Sequence, residues 1–173
     1  MTFDPFPGGV FATDATGLPA VPGAYILLLT VPKARTVAIG GRTAALSAGR
    51  YLYCGSARGP GGIRSRVGRH MRRDKAVRWH VDQLTATQGV LAAWAFPGGN
   101  ECGLAVALSG LPQPIPGFGS SDCPRCVSHL FAWPTAGDGA DLSRLGISCP
   151  SRRAAPPGGS AKIATAPGQG SQV

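Results

Sequence analysis

The chain has 173 residues, of which 43% are apolar, and its formal net charge is +9. This length fits one domain, or one domain with tails. The longest apolar runs, Ile26–Leu29 and Leu104–Leu108, fall far short of the roughly 20 residues that cross a bilayer. We therefore expect no membrane span.

The N-terminus and the cysteines both bear on location. No basic region followed by a hydrophobic stretch opens the chain, so we expect no secretory signal. Five cysteines at irregular spacing argue against a disulfide scaffold and favour a reducing compartment. We expect a cytoplasmic protein.

The basic charge favours a polyanionic partner, because each neutralised phosphate releases condensed counterions. Only three of the 17 basic residues are lysines, and arginine can place two donors on one phosphate. The alternative is compositional drift toward Ala, Gly, Pro and Arg, as a GC-rich genome would produce.

Composition divides the chain into three parts. Residues 1–20 carry glycine and proline with little periodicity and are predicted to be a loosely ordered leader. Residues 21–135 are predicted to form the folded domain. Residues 136–173 are rich in Gly, Pro and Ala and are predicted to be a disordered tail.

Apolar patterns within the domain alternate between strands and helices, which predicts a small α/β domain with a mainly antiparallel sheet flanked by helices. The first two strands are close enough to predict a hairpin. The predicted strands are Tyr25–Thr30, Thr36–Ile39, Arg50–Cys54, Val90–Phe96 and Cys126–Trp133, and the predicted helices are 63–73, Trp79–Thr85 and Glu101–Leu108.

Phosphodiester hydrolysis needs an activated water and positive charge around the phosphate. Two tyrosines on strands precede an arginine-rich helix, which suits those needs. A tyrosine is an unusual base because its free pKa is about 10. Gly59–Gly62 leads into the helix, whose N-terminal N–H groups are predicted to face a phosphate.

These motifs, in this order, resemble the GIY-YIG nuclease superfamily. The resemblance rests on Gly23-Ala24-Tyr25, Tyr51-Leu52-Tyr53-Cys54-Gly55, Ile63-Arg64-Ser65-Arg66 and Glu101. It implies a three-stranded antiparallel sheet flanked by helices. Ala24 and Cys54 stand where the family usually has isoleucine, and residues 56–62 form a longer segment than is common.

The resemblance also implies roles, with Tyr25, Tyr53, Arg66, His70 and Glu101 as catalytic residues. A tyrosine would act as or assist the general base, Arg66 would stabilise the transition state, and Glu101 would bind Mg²⁺ or Mn²⁺. Because of the longer segment, Arg64 remains an alternative to Arg66.

The expected function is metal-dependent hydrolysis of DNA, and the alternative is a non-catalytic nucleic-acid-binding module on the same fold. The basic surface serves both. The residues predicted to contact nucleic acid are Arg58, Arg64, Arg69, Arg72, Arg73, Lys75, Arg78 and His80.

A narrower resemblance, to a prokaryotic branch known as DUF123, covers residues 22–133. It rests on the stretches Gly49–Ala57, Arg66–Arg72, Trp79–Asp82, Glu101-Cys102, Ser120–Cys123 and His129–Phe131.

A second polar cluster follows the catalytic motifs. Cys123 and Cys126 form a C-x-x-C pair with His129 three residues on, and Cys102 or His80 would complete a tetrahedral Zn²⁺ site. The alternative is a reduced thiol pair beside a packed loop. Asp82 is a candidate to orient His80, or merely a residue of a helix whose Trp79 and Leu84 face the core.

Overall fold

The computed structural model describes residues 5–87 and 89–133. Within them the elements are β1 (Val10–Ala12), β2 (Gly23–Val31), β3 (Arg35–Ile39), β4 (Arg42–Leu46), β5 (Gly49–Ala57), α1 (Gly62–Met71), α2 (Asp82–Thr85), β6 (Val90–Pro97), α3 (Glu101–Ala107) and β7 (Leu130–Ala132). In this part of the chain no helix has the length and apolarity to cross a membrane.

The main sheet has five antiparallel strands in the order β1-β6-β2-β5-β7, so the expected count of three was wrong. β2 lies in the middle, pairing with β5 on one side and β6 on the other. The short strands β1 and β7 add an edge on either side. β7 lies within the predicted strand Cys126–Trp133 but is shorter, whereas β1 was not predicted.

The predicted hairpin between the first two strands was also wrong. β3 pairs with β4 in a separate two-stranded sheet. Gly40 and Gly41 between them have φ of 53° and 80°, as a two-residue hairpin turn requires. The central strand β2 is therefore free to pair with two strands that come later in the chain.

Alternation along the central strands gives the sheet two buried faces. Tyr25 and Tyr53 share one hydrophobic core with Ile63 and Val67 of α1. Cys54 belongs to the opposite core, with Leu104 and Ala105 of α3. Both motif tyrosines therefore face α1, and α3 packs across the sheet from them.

The described part of the predicted leader is integral to the fold. Phe6 and Leu18 are fully buried, and the Phe6 ring packs edge-on against Trp94 with centroids 4.8 Å apart. The glycines and prolines there form turns around buried side chains, so composition alone was misleading. The predicted disordered tail, 136–173, lies outside the described residues.

The first turn of α1 is capped by the segment that precedes β2. The N–H of Ile63 donates to the Val21 carbonyl, and that of Arg64 donates to the Pro19 carbonyl. Gly62 has φ of 54°, and a Cβ there would lie 2.2 Å from the Val21 oxygen. The expectation that these N–H groups face a phosphate was therefore wrong, because they are already hydrogen-bonded.

Candidate active site

The hydroxyl of Tyr25 is hydrogen-bonded to a histidine on the neighbouring helix. It lies 2.8 Å from Nε2 of His70, and both residues are almost fully buried. Gly55 pairs with Tyr25 across the sheet, and a Cβ on it would lie 2.4 Å from the Tyr25 hydroxyl oxygen. The glycine of the second motif thus makes room for the tyrosine of the first.

Asp82 lies behind this pair with no exposed surface. Its carboxylate accepts hydrogen bonds from the Arg69 guanidinium at 2.9 Å and from the backbone N–H groups of Arg78 and Trp79 at 2.9 and 3.0 Å. Its Oδ1 is 3.4 Å from Nδ1 of His70. Burial alone would raise the pKa of Asp82, but these partners outweigh it and hold the pKa well below its usual value.

The Asp82 carboxylate favours one tautomer of His70. Nδ1 is buried with no hydrogen-bond partner among the described residues, and Asp82 Oδ1, 3.4 Å away, can only accept. A proton on Nδ1 is therefore favoured, which leaves Nε2 to accept from the Tyr25 hydroxyl. Burial lowers the pKa of His70, although Asp82 opposes the shift, so the ring is neutral near pH 7. Orienting His80 was one of two alternatives for Asp82, but Nδ1 of His80 accepts a hydrogen bond from the Gly119 N–H at 3.1 Å.

Both tyrosines resist ionisation. Burial raises the pKa of Tyr25 well above its usual value, with Tyr53 and Glu101 adding to the shift and Arg66 opposing it. Burial likewise raises the pKa of Tyr53, with Glu101 the next contributor. Neither phenol is ionised at neutral pH, so a proton leaving Tyr25 has to pass directly to an acceptor such as His70.

Two arginines of α1 are held against one indole ring. The guanidinium carbons of Arg66 and Arg69 each lie 4.2 Å from the centroid of the Trp79 ring, close enough for cation–π attraction. Arg69 is also fixed by Asp82, whereas Arg64 donates to the Leu18 carbonyl at 2.6 Å. Of the two alternative arginines, Arg66 is the one whose charge acts on both tyrosines.

Two adjoining clefts border this arrangement, and Trp79 lines both. A cleft of about 510 Å³ runs along α1, and its lining includes Gly59, Arg64, Arg66, Arg69 and Arg72. A second cleft, of about 430 Å³, is lined by residues that include Tyr53, Arg78, His80 and Asp122.

The remaining predicted nucleic-acid contacts differ in their surroundings. Arg58 and Arg73 are exposed. The ammonium group of Lys75 donates to the His70 carbonyl at 2.6 Å, and burial lowers the pKa of Lys75 to about 8. Lys75 therefore supports the α1 segment around His70.

Glu101 starts α3 and is half-buried. The Asn100 side chain caps this helix by accepting from the Cys102 N–H at 2.8 Å. Although α3 packs on the far face, its start follows the end of β6, where Pro97 pairs with Gly23 at the start of β2. Burial raises the pKa of both motif tyrosines, and the Glu101 charge adds to the shift.

Three cysteines and a histidine meet on the α3 side of the sheet. One potential ligand atom from each of Cys102, Cys123, Cys126 and His129 lies within 4.8 Å of the others. We call these four residues the Cys/His cluster, and they could hold a metal ion. Of the two residues expected to complete the set, Cys102 lies in the cluster, whereas His80 binds Gly119.

The thiols of the cluster have unequal acidities. The Arg125 N–H and the neighbouring sulfurs lower the pKa of Cys123 to about 7. Burial, followed by the neighbouring thiols, raises the pKa of Cys126 to about 12. The set therefore includes one thiol that ionises readily near neutral pH.

Sequence reasoning missed the contact between Asp82 and His70 and the role of Gly119. His80 is only two residues from Asp82 in the sequence, whereas the fold brings Asp82 into contact with His70. A Cβ on Gly119 would lie 2.7 Å from Cε2 of Tyr53 and 3.3 Å from Cβ of His129. Such contacts depend on how the loop folds over the sheet and leave no periodic pattern.

Comparison with known proteins gives one match. Residues 24–144 match the model of the family described as "Domain of unknown function DUF123". No curated protein and no solved structure matches the chain.

Proposed function

The chain belongs to the DUF123 family, whose description gives no function, and we propose from its site that it is a metal-dependent nuclease of the GIY-YIG type acting on DNA. The observation that carries this proposal is the buried chain of contacts from Tyr25 through His70 to Asp82, beside an arginine-lined cleft. Arg69 links the two, because it binds Asp82 and also lines the cleft.

In this proposal His70 is the proton acceptor that allows Tyr25 to act as a general base. Tyr25 takes a proton from the attacking water as it passes its own to Nε2 of His70, so no free phenolate has to form. Asp82 stabilises the imidazolium and keeps Nδ1 protonated. This arrangement resolves the conflict between a tyrosine base and the raised pKa of Tyr25.

Arg66 is proposed to hold the scissile phosphate. Its guanidinium is kept in place by Trp79, and its charge reaches Tyr25. A fixed cation near the reacting phosphate stabilises the charge that develops in the transition state. Because the first N–H groups of α1 are already bonded, side chains supply this charge.

Glu101 is proposed to hold Mg²⁺ or Mn²⁺. A half-buried carboxylate at the start of α3 fits Mg²⁺, which commonly binds one or two carboxylates together with substrate phosphates and water. The metal, when bound, would offset negative charge on the phosphate oxygens. The Cys/His cluster is a different kind of site, since thiolates and imidazole favour Zn²⁺ over Mg²⁺, and we propose Zn²⁺ there.

A cleavage assay with four purified proteins tests the nuclease proposal. Incubation of plasmid with Mg²⁺ is expected to give nicked or linear DNA with the wild type. Tyr25→Phe and Glu101→Gln should each lower the rate by about 100-fold or more. Tyr51→Phe is the control, because the Tyr51 hydroxyl donates to the Ser47 carbonyl instead of His70.

Equal rates for all four proteins would contradict the assignment of Tyr25 and Glu101 to the active site.

If the wild type cleaves DNA, a panel of duplex, nicked, flapped and branched substrates, with RNA alongside, would identify the substrate that it prefers.

The second candidate is a nucleic-acid-binding module without catalysis, favoured by the arginine-lined cleft alone. Binding that persists in chelator, with no product under Mg²⁺ or Mn²⁺ on any substrate of the panel, would favour this module over the nuclease.

A further inference from the structure

The Cys/His cluster draws its ligands from two segments that are far apart in the chain. Cys102 lies in the first turn of α3, whereas the other three ligands lie in the loop that leads to β7. The sulfurs of Cys102 and Cys123 are 3.4 Å apart. That distance exceeds the roughly 2.05 Å of a disulfide and is near the roughly 3.8 Å between two thiolates on one tetrahedral Zn²⁺.

His129 gives independent evidence for a bound ion. It is 2% exposed, and its Nε2 has no hydrogen-bond partner among the described residues. Imidazole nitrogen is a common ligand of Zn²⁺, so a metal bound at Nε2 would satisfy the nitrogen that is otherwise bare.

The same loop also encloses the second motif tyrosine. Gly119 has φ of 72° and packs so closely on Tyr53 that a Cβ would lie 3.1 Å from the hydroxyl. Phe118 meets the Tyr53 ring edge-on, with centroids 6.2 Å apart, and the Gly119 N–H binds His80. The loop thus connects the cluster on the α3 face with Tyr53 on the α1 face.

Little regular structure holds this loop. Between α3 and β7 the described chain contains no helix or strand. Its fixed points are the buried side chains of Ile115 and Phe118 and individual backbone bonds, such as that of Gly117 to Val127. A four-ligand ion would fix the loop at three points and join it to α3 at a fourth.

We propose that Cys102, Cys123, Cys126 and His129 bind one structural Zn²⁺, which clamps the loop before β7 to the start of α3 and so sets Tyr53 and Glu101 in place. The clamp itself is independent of the proposed nuclease activity. Its effect on cleavage rests on that proposed function.

Metal content tests the site directly. The full chain, purified with reductant, should contain about one zinc per molecule, and Co²⁺ exchange should give the strong visible absorption of tetrahedral thiolate coordination. Cys123→Ser and His129→Ala should each reduce the zinc content to about a tenth or less. Cys54→Ala is the matched control, because Cys54 is a buried free thiol outside the cluster.

Full zinc content in Cys123→Ser and His129→Ala, or no zinc in wild-type protein refolded with excess Zn²⁺ and reductant, would overturn the site.

Hydrogen exchange tests the clamp. Removing zinc with a chelator should speed amide exchange across residues 115–130 by about 10-fold or more, while the amides of α1 should change little. Unchanged exchange in the loop after confirmed loss of zinc would overturn the clamp.

Cleavage is the last readout, because it separates the two proposals. If zinc and exchange behave as expected but the wild type cuts no substrate, the clamp stands and the nuclease fails. If the wild type cuts DNA and the zinc-free His129→Ala variant cuts equally fast, the nuclease stands and the effect of the clamp on Tyr53 is overturned.

Discussion

At the residue scale, the central feature is a buried histidine, His70, that lies between the Tyr25 hydroxyl and the Asp82 carboxylate. The two motif tyrosines and the arginines of α1 could be identified from the order of local motifs. The partnership of Asp82 with His70 could not, because neither spacing nor periodicity encodes it. It arises where the segment before α2 folds its N–H groups around the carboxylate.

This arrangement makes stability depend on pH in a defined window. Burial lowers the pKa of His70 below its usual 6.5, so below that pH the unfolded chain binds a proton that the folded chain does not. The free energy of unfolding should therefore fall as the pH drops from about 6.5 to the folded pKa of His70. The contribution is at most about 1.4 kcal/mol per pH unit for one proton.

Urea unfolding at several pH values between about 5 and 8 would measure this slope. His70→Gln should flatten it relative to the wild type. The lowered pKa of Asp82 acts in a separate range, because its stabilisation is lost below its ordinary pKa of 3.8. Parallel slopes for His70→Gln and the wild type would contradict the assignment.

At the scale of elements, the positions of several strands and helices could be predicted from the sequence, whereas the pairing of β2 with distant strands could not. Strands near β2, β5 and β6 and helices near α1 and α3 were predictable, because each carries its own apolar period. The partners of β2 were not predictable. Short separation in the chain favoured a hairpin with β3, but β2 pairs with the long strands β5 and β6 on either side. β1 was not predicted, because the segment around it is rich in glycine and proline.

The two phenylalanines near β1 provide a matched test of whether this segment belongs to the fold. Phe6→Ala should lower the free energy of unfolding by about 3–5 kcal/mol, because it removes a fully buried ring. Phe11→Ala should cost about 1 kcal/mol or less, since that side chain is 54% exposed. Chemical denaturation would measure both, and equal small losses would show that residues 5–12 are dispensable.

At the scale of the whole molecule, the net charge is +9, and four arginines line the cleft along α1. With the first helix N–H groups already bonded, the proposed binding of nucleic acid there would depend on guanidinium groups, which bind phosphates in any sequence. Composition predicts a polyanionic partner. It could not predict that two arginines would be held by one indole ring, because that requires Trp79 to fold back onto α1.

Binding to DNA should therefore weaken steeply with salt. Arg72→Gln should reduce the slope of log K against log salt by about 1 and weaken binding to all sequences alike. Lys33→Gln is the control, because Lys33 is exposed but does not line the cleft. Fluorescence anisotropy with a labelled duplex would measure the slopes, and equal changes for both variants would argue that net charge alone drives binding.

The three-residue edge strands protect the longer strands inside the sheet. β1 pairs with three residues of β6, and β7 pairs with three residues of β5. Loss of an edge strand would leave all eight residues of β6, or all nine of β5, without a strand partner on that side, and further copies could add there by backbone pairing. Shortened versions of this protein are therefore expected to be prone to self-association.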